Sequence, residues 1–150
     1  MQDFCKIFFI SLEFLVIFIS ICIYGFFGDY LDNYLKGVQF NQEMLKYLSI
    51  VPYSIFIWIW NKGSSFLQRD TQNSKILVEW DKYHCLKKCY QVGLFYAILS
   101  VIVSTISVLT YTHSAIHVIS FFASLIIISI VAISFHFASG DMQDIFSKYN

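Results

Sequence analysis

Long apolar runs alternate with short polar intervals along this chain, and the lengths of the runs predict helices that cross a membrane. The four runs cover residues 7–27, 45–60, 92–112 and 116–138. A helix needs about 20 predominantly apolar residues to cross the hydrocarbon core. The second run is the weakest, with Pro52 early in it and Trp58 and Trp60 at its end, where aromatic residues mark the membrane–water boundary. The pattern predicts an all-α membrane protein with four transmembrane helices in a single domain, residues 1–150.

The longest polar interval, residues 61–91, predicts how the helices are oriented. Its charges are mostly basic: Lys62, Arg69, Lys75, Lys82, Lys87 and Lys88 against Asp70, Glu79 and Asp81. Short loops rich in Lys and Arg stay in the cytoplasm. We therefore expect a basic cytoplasmic loop between helices 2 and 3, with the N- and C-termini also cytoplasmic. The first run is longer than the apolar region of a signal peptide and has no small-x-small cleavage site, so it is interpreted as an uncleaved helix.

Composition agrees with a membrane protein. The chain is 57% hydrophobic and only 13% charged, whereas a soluble domain averages about 25% charged residues. Ten basic and ten acidic residues cancel, so no direct binding to nucleic acid is expected.

Two patterns concern packing outside and inside the bilayer. Leu31, Tyr34, Leu35 and Val38 recur at helical spacing within residues 28–44, which predicts a short amphipathic helix on the outer surface. A stripe of small residues predicts close helix packing, because small side chains let backbones approach in lipid. Its members are Ala97, Ser100, Ser104 and Ser107 in the third run, with Ser120 and Ser124 in the fourth.

Glu13 is the only carboxylate inside an apolar run, and an ionised carboxylate in hydrocarbon must be protonated, paired or turned to the bundle interior. His136 is at a compatible depth in the fourth run, which predicts a polar pair, Glu13 and His136. As a functional site the pair would sense protons or line an ion path. The structural interpretation, a pair that sets helix register or a glutamate that reaches the interface, is favoured because Glu13 lies near the boundary.

Sequence motifs for catalysis are absent: there is no Gly-x-Ser-x-Gly elbow, phosphate-binding loop or His-Glu-x-x-His pair. No enzymatic activity and no cofactor are expected. His113 and His117 are spaced i, i+4, and His84, Cys85 and Cys89 lie close together, but neither group completes a ligand set. No metal site is predicted.

The loop carries the strongest signal for binding. Five residues are the predicted contacts with a partner: Trp80, Tyr83, Lys82, Lys87 and Lys88. Aromatic anchors dominate protein interfaces, while aromatic and basic residues also hold a segment at an anionic leaflet. Both interpretations stay open.

The loop segment ILVEWDKYHCLKK (residues 76–88), in a small chain with four predicted spans, resembles the KwaA membrane subunits of the bacterial Kiwa anti-phage system. This resemblance implies a homo-oligomeric sensor in the bacterial inner membrane that works with a cytoplasmic DNA-binding partner of the KwaB kind. The chain is also similar to the four-span immunity proteins against pore-forming colicins.

Three functions follow from these observations. The first is a membrane sensor or scaffold for anti-phage defence that recruits a soluble cytoplasmic partner through residues 61–91. The second is an immunity protein that binds a pore-forming toxin within the inner membrane through the small-residue faces. The third is an oligomeric effector that conducts ions, which the lack of a polar stripe beyond serines disfavours.

Overall fold

The computed structural model describes residues 11–37, 42–68, 83–110 and 114–149, which are helical almost throughout and contain no strand. The helices are α1 (Leu12–Lys36), α2 (Gln42–Leu48), α3 (Ile50–Gln68), α4 (Tyr83–Leu109) and α5 (Ala115–Tyr149). The predicted all-α class is therefore confirmed.

Helix α1 begins and ends later than the first apolar run. Ser11 has extended backbone angles and its hydroxyl oxygen accepts a hydrogen bond from the Phe14 amide at 3.3 Å, so it caps the helix. The helix continues past Gly28 to Lys36, because no proline interrupts it. For the residues up to Lys36, the prediction of a separate surface helix is wrong, because Leu31 and Leu35 belong to the last turns of α1. Val38 lies outside the described residues.

Pro52 explains why the second apolar run divides into two helices. The proline ring clashes with the carbonyl four residues earlier, which here belongs to Leu48, the last residue of α2. A turn at Ser49 follows, and Pro52 occupies the first turn of α3, where its missing amide is tolerated. The apolar part of α3, residues 50–60, is about 16 Å long at 1.5 Å per residue.

Three helices are long and apolar enough to cross a membrane: Leu12–Leu35, Lys87–Leu109 and Ala115–Gly140. They indicate a membrane protein, and they correspond to the first, third and fourth predicted spans with shifted ends. Helix α3 falls short because Asn61 and Lys62 follow its apolar part directly. The described residues therefore contain three candidate spans, and the fourth stays a prediction.

Helix α5 is the centre of the fold, since it packs against α1, α3 and α4, and its interface with α4 is the largest. Contacts near Tyr96 join the first turns of α1, the middle of α3 and the middle of α5 in one core cluster. The start of α3 meets the second half of α4 through Tyr53, its later part meets the start of α4 through Gly63, and the end of α1 meets the start of α5 through Asp32. Consecutive long helices therefore run in alternating directions. We call the end of the bundle near Gly63 and Lys87 the basic end, and the end near Asp32 and Ala115 the capped end.

The core cluster is small and lies towards the basic end: Ile59, Val92, Tyr96, Ala97, Ile127, Ile128 and Val131. Most other large apolar side chains face outward, for example Phe26, which is 83% exposed, and Leu109, which is 77% exposed. Soluble monomers rarely expose such continuous apolar surface. These faces suit contact with lipid chains.

A hydrogen-bonded cap joins α1 to α5 at the capped end. The Asp32 carboxylate accepts hydrogen bonds from the Ala115 amide and from the Ser114 hydroxyl, the latter at 3.2 Å. These donors are at the first turn of α5, where unpaired amides and the helix dipole favour a negative charge. The cap fixes the last turns of α1 against the start of α5.

Candidate functional site

At the basic end, the last turns of α3 lie against the first turns of α4. Gly63 of α3 is buried directly beneath the ring of Tyr90 of α4. A Cβ atom at Gly63 would lie 1.8 Å from the Tyr90 hydroxyl oxygen and 2.4 Å from the adjoining ring carbon. A side chain at this position would force the Tyr90 ring to move, so glycine allows this close approach of α3 to the start of α4.

Aromatic side chains extend this contact to α5. The Tyr90 and Phe135 ring centres are 5.0 Å apart, and Trp58 meets Phe135 edge-on at 6.5 Å. Trp58 also lies 6.5 Å from the His136 ring. We call Trp58, Tyr90, Phe135 and His136 the aromatic cluster. It joins α3, α4 and α5 at the basic end. Both ends of the predicted loop, residues 61–91, therefore belong to helices that are packed against each other.

Of the five predicted partner-binding residues, the structure describes the side chains of Lys87 and Lys88, which precede Tyr90 of the aromatic cluster in α4. Lys87 is exposed and Lys88 is half-buried. Tyr83 is the first residue of α4, so the helix starts four residues before the apolar stretch that begins at Lys87. The side chain of Tyr83 is not described, and Trp80 and Lys82 lie outside the described residues. Their role in partner binding stays a prediction.

The small-residue stripe lies inside the bundle. Ala97, Ser100, Ser104 and Ser107 of α4 are at most 5% exposed, Ser124 of α5 is equally buried, and Ser120 is half-buried. These residues belong to α4 and α5, the two helices that form the largest interface in the described part of the chain. The stripe is therefore buried by helices of the same chain.

Glu13 and His136 are not paired in the described part of the chain. Glu13 is buried in the first turn of α1 and lies within electrostatic reach of Tyr96. His136 is exposed and contacts Trp58 and Phe137. Glu13 lies beside Tyr96, nine residues into the apolar stretch of α4 that begins at Lys87, whereas His136 lies beside Trp58. A carboxylate at a helix start is stabilised by the dipole, which reduces the need for a cationic partner.

The side chain of Tyr96 in α4 contacts the start of α1. It is 1% exposed and forms a side-chain hydrogen bond with Ser11, the capping residue of α1. Ser11 thus caps its own helix and ties it to α4.

Sequence reasoning missed Asp32, Gly63, Tyr90 and Ser11. One signal was present for Ser11, because serine is a typical helix cap, although Ser11 stands within the first apolar run, residues 7–27, rather than before it. Asp32 and Gly63 carried no such local signal, since their partners, Ala115 and Tyr90, are distant in sequence.

The described residues contain no group of three or more His, Cys, Asp or Glu side chains placed to hold a metal ion. His113 lies outside them, while His117 is half-buried in the first turn of α5. The chain matches no protein-family model, no curated protein and no solved structure in the comparisons made with each.

Proposed function

We propose that this chain is a four-span protein of the bacterial inner membrane that serves as a scaffold or sensor and recruits a soluble cytoplasmic partner through residues 61–91. The observation that carries the proposal is the contact of Gly63 with Tyr90. It anchors both ends of a long polar segment on the aromatic cluster. A segment held at both ends on a rigid base loses less conformational entropy when a partner binds it.

The packing of α3 supports a fourth crossing of the membrane. Ile59 is fully buried against α4 and α5, while Ile57 and Trp60, on the outward side, are 56% and 51% exposed. An apolar part of about 16 Å is shorter than the roughly 30 Å hydrocarbon core. Bilayer thinning and interfacial tryptophans accommodate such a mismatch. In this arrangement the basic end, with both termini and residues 61–91, faces the cytoplasm.

Cysteine labelling tests the topology. In a background without the four native cysteines, Asp70→Cys should resist a membrane-impermeant thiol reagent in intact cells and react after lysis. Tyr34→Cys, at the exposed end of α1, should react in intact cells. Labelling of Asp70→Cys in intact cells would place the basic end outside and reject the orientation.

Affinity purification tests recruitment. The full chain, expressed in its native host with its neighbouring genes, should co-purify a specific soluble protein. Trp80→Ala should abolish that capture while insertion is normal, since truncating an aromatic anchor costs about 2 kcal/mol or more. Trp60→Ala is the matched control, because it removes an exposed tryptophan of α3 at the same end of the bundle, outside the predicted interface residues.

Lipid anchoring gives a different outcome. Each basic residue near an anionic leaflet contributes roughly 1 kcal/mol, so the double change Lys87→Gln, Lys88→Gln should then weaken membrane association of the segment as much as Trp80→Ala does. Recovery of no specific soluble protein from the wild type would reject recruitment.

The other two functions gain less support. A toxin-binding role predicted for the serine stripe would require those residues to meet a foreign helix, yet Ser100, Ser104 and Ser107 are already buried within the chain. An anti-phage role of the Kiwa kind, with a homo-oligomer and a DNA-binding partner, rests on the resemblance of residues 76–88. Identification of the captured protein as a DNA-binding protein would support it.

A further inference from the structure

We draw no further inference here: the strongest candidate, the apolar groove between α1 and α4 on the surface of α5, with Ile17, Leu99 and Ala123 in its walls, is an unpartnered apolar face, and nothing in the described part of the structure shows what covers it.

Discussion

The contact between Gly63 and Tyr90 allows a quantitative test with two glycines of similar helical setting. Gly63→Ala and Gly25→Ala both replace a glycine within a helix, so each gains about 1 kcal/mol of helix propensity. They differ in their surroundings. A Cβ at Gly25 meets nothing within 4 Å, whereas a Cβ at Gly63 meets the Tyr90 hydroxyl oxygen at 1.8 Å.

A Cβ atom at position 63 fits only if the Tyr90 ring moves. That ring packs against Phe135, with 5.0 Å between the ring centres. Overpacking of this kind costs about 1–3 kcal/mol. Because the propensity gain is common to both variants, Gly63→Ala should be about 1–3 kcal/mol less stable than Gly25→Ala. Gly25→Ala should itself exceed the wild type in stability by up to about 1 kcal/mol.

Thermal or denaturant unfolding of the purified protein in one detergent measures the difference. The cause is tested in a Tyr90→Leu background, where the ring is absent and Gly63→Ala should have nearly the effect of Gly25→Ala. If Gly63→Ala is as stable as Gly25→Ala in the Tyr90 protein, the close approach of α3 to Tyr90 does not exist. If the cost persists with Tyr90→Leu, another neighbour causes it.

Three further predictions use the same unfolding measurement. Asp32→Ala should lower stability by about 1 kcal/mol through loss of the cap on α5, while the exposed Asp29→Ala should change it by a few tenths; equal effects would show that the cap contributes nothing. Ser104→Ala should be nearly neutral because its hydroxyl has no partner in the described chain, and Ser104→Leu should cost about 1–3 kcal/mol by overpacking. Comparable losses in the two Ser104 variants would mean that the hydroxyl, rather than the small size, is required. Tyr53→Phe and Thr105→Val should show a coupling energy of about 0.6 kcal/mol for the 2.6 Å hydrogen bond between α3 and α4; a coupling of zero would contradict that bond.

Several features of this protein were predictable from sequence because they depend on local composition. The third and fourth apolar runs became the apolar stretches Lys87–Leu109 of α4 and Ala115–Gly140 of α5, with ends shifted by one to five residues, since a bilayer requires long apolar helices whatever their neighbours. The alignment of Ala97, Ser100, Ser104 and Ser107 on one face follows from helical periodicity alone. The break before α3, in the run predicted as one span over residues 45–60, has a local cause in the ring of Pro52.

The second run shows where local reasoning stops. Its apolar residues predicted a span, but the apolar part of α3 is shorter than the membrane is thick. The place of α3 in the bundle is set by the burial of Ile59 against α4 and α5. Which chain would cover the serine stripe was equally undetermined, because a small-residue face suits any close helix. The fold buries it among helices of the same chain.

The remaining features were decided by tertiary structure because each depends on atoms far apart in the sequence. Asp32 caps α5 through Ser114 and Ala115, more than 80 residues away. Gly63 matters only because Tyr90 occupies the space of its missing side chain. Glu13 lies near Tyr96 rather than pairing with His136, since the packing of α1 against α4 and α5 sets its neighbours. A hydrophobic pattern specifies which face of a helix is buried, whereas the partner on that face is chosen by the three-dimensional packing of the whole bundle.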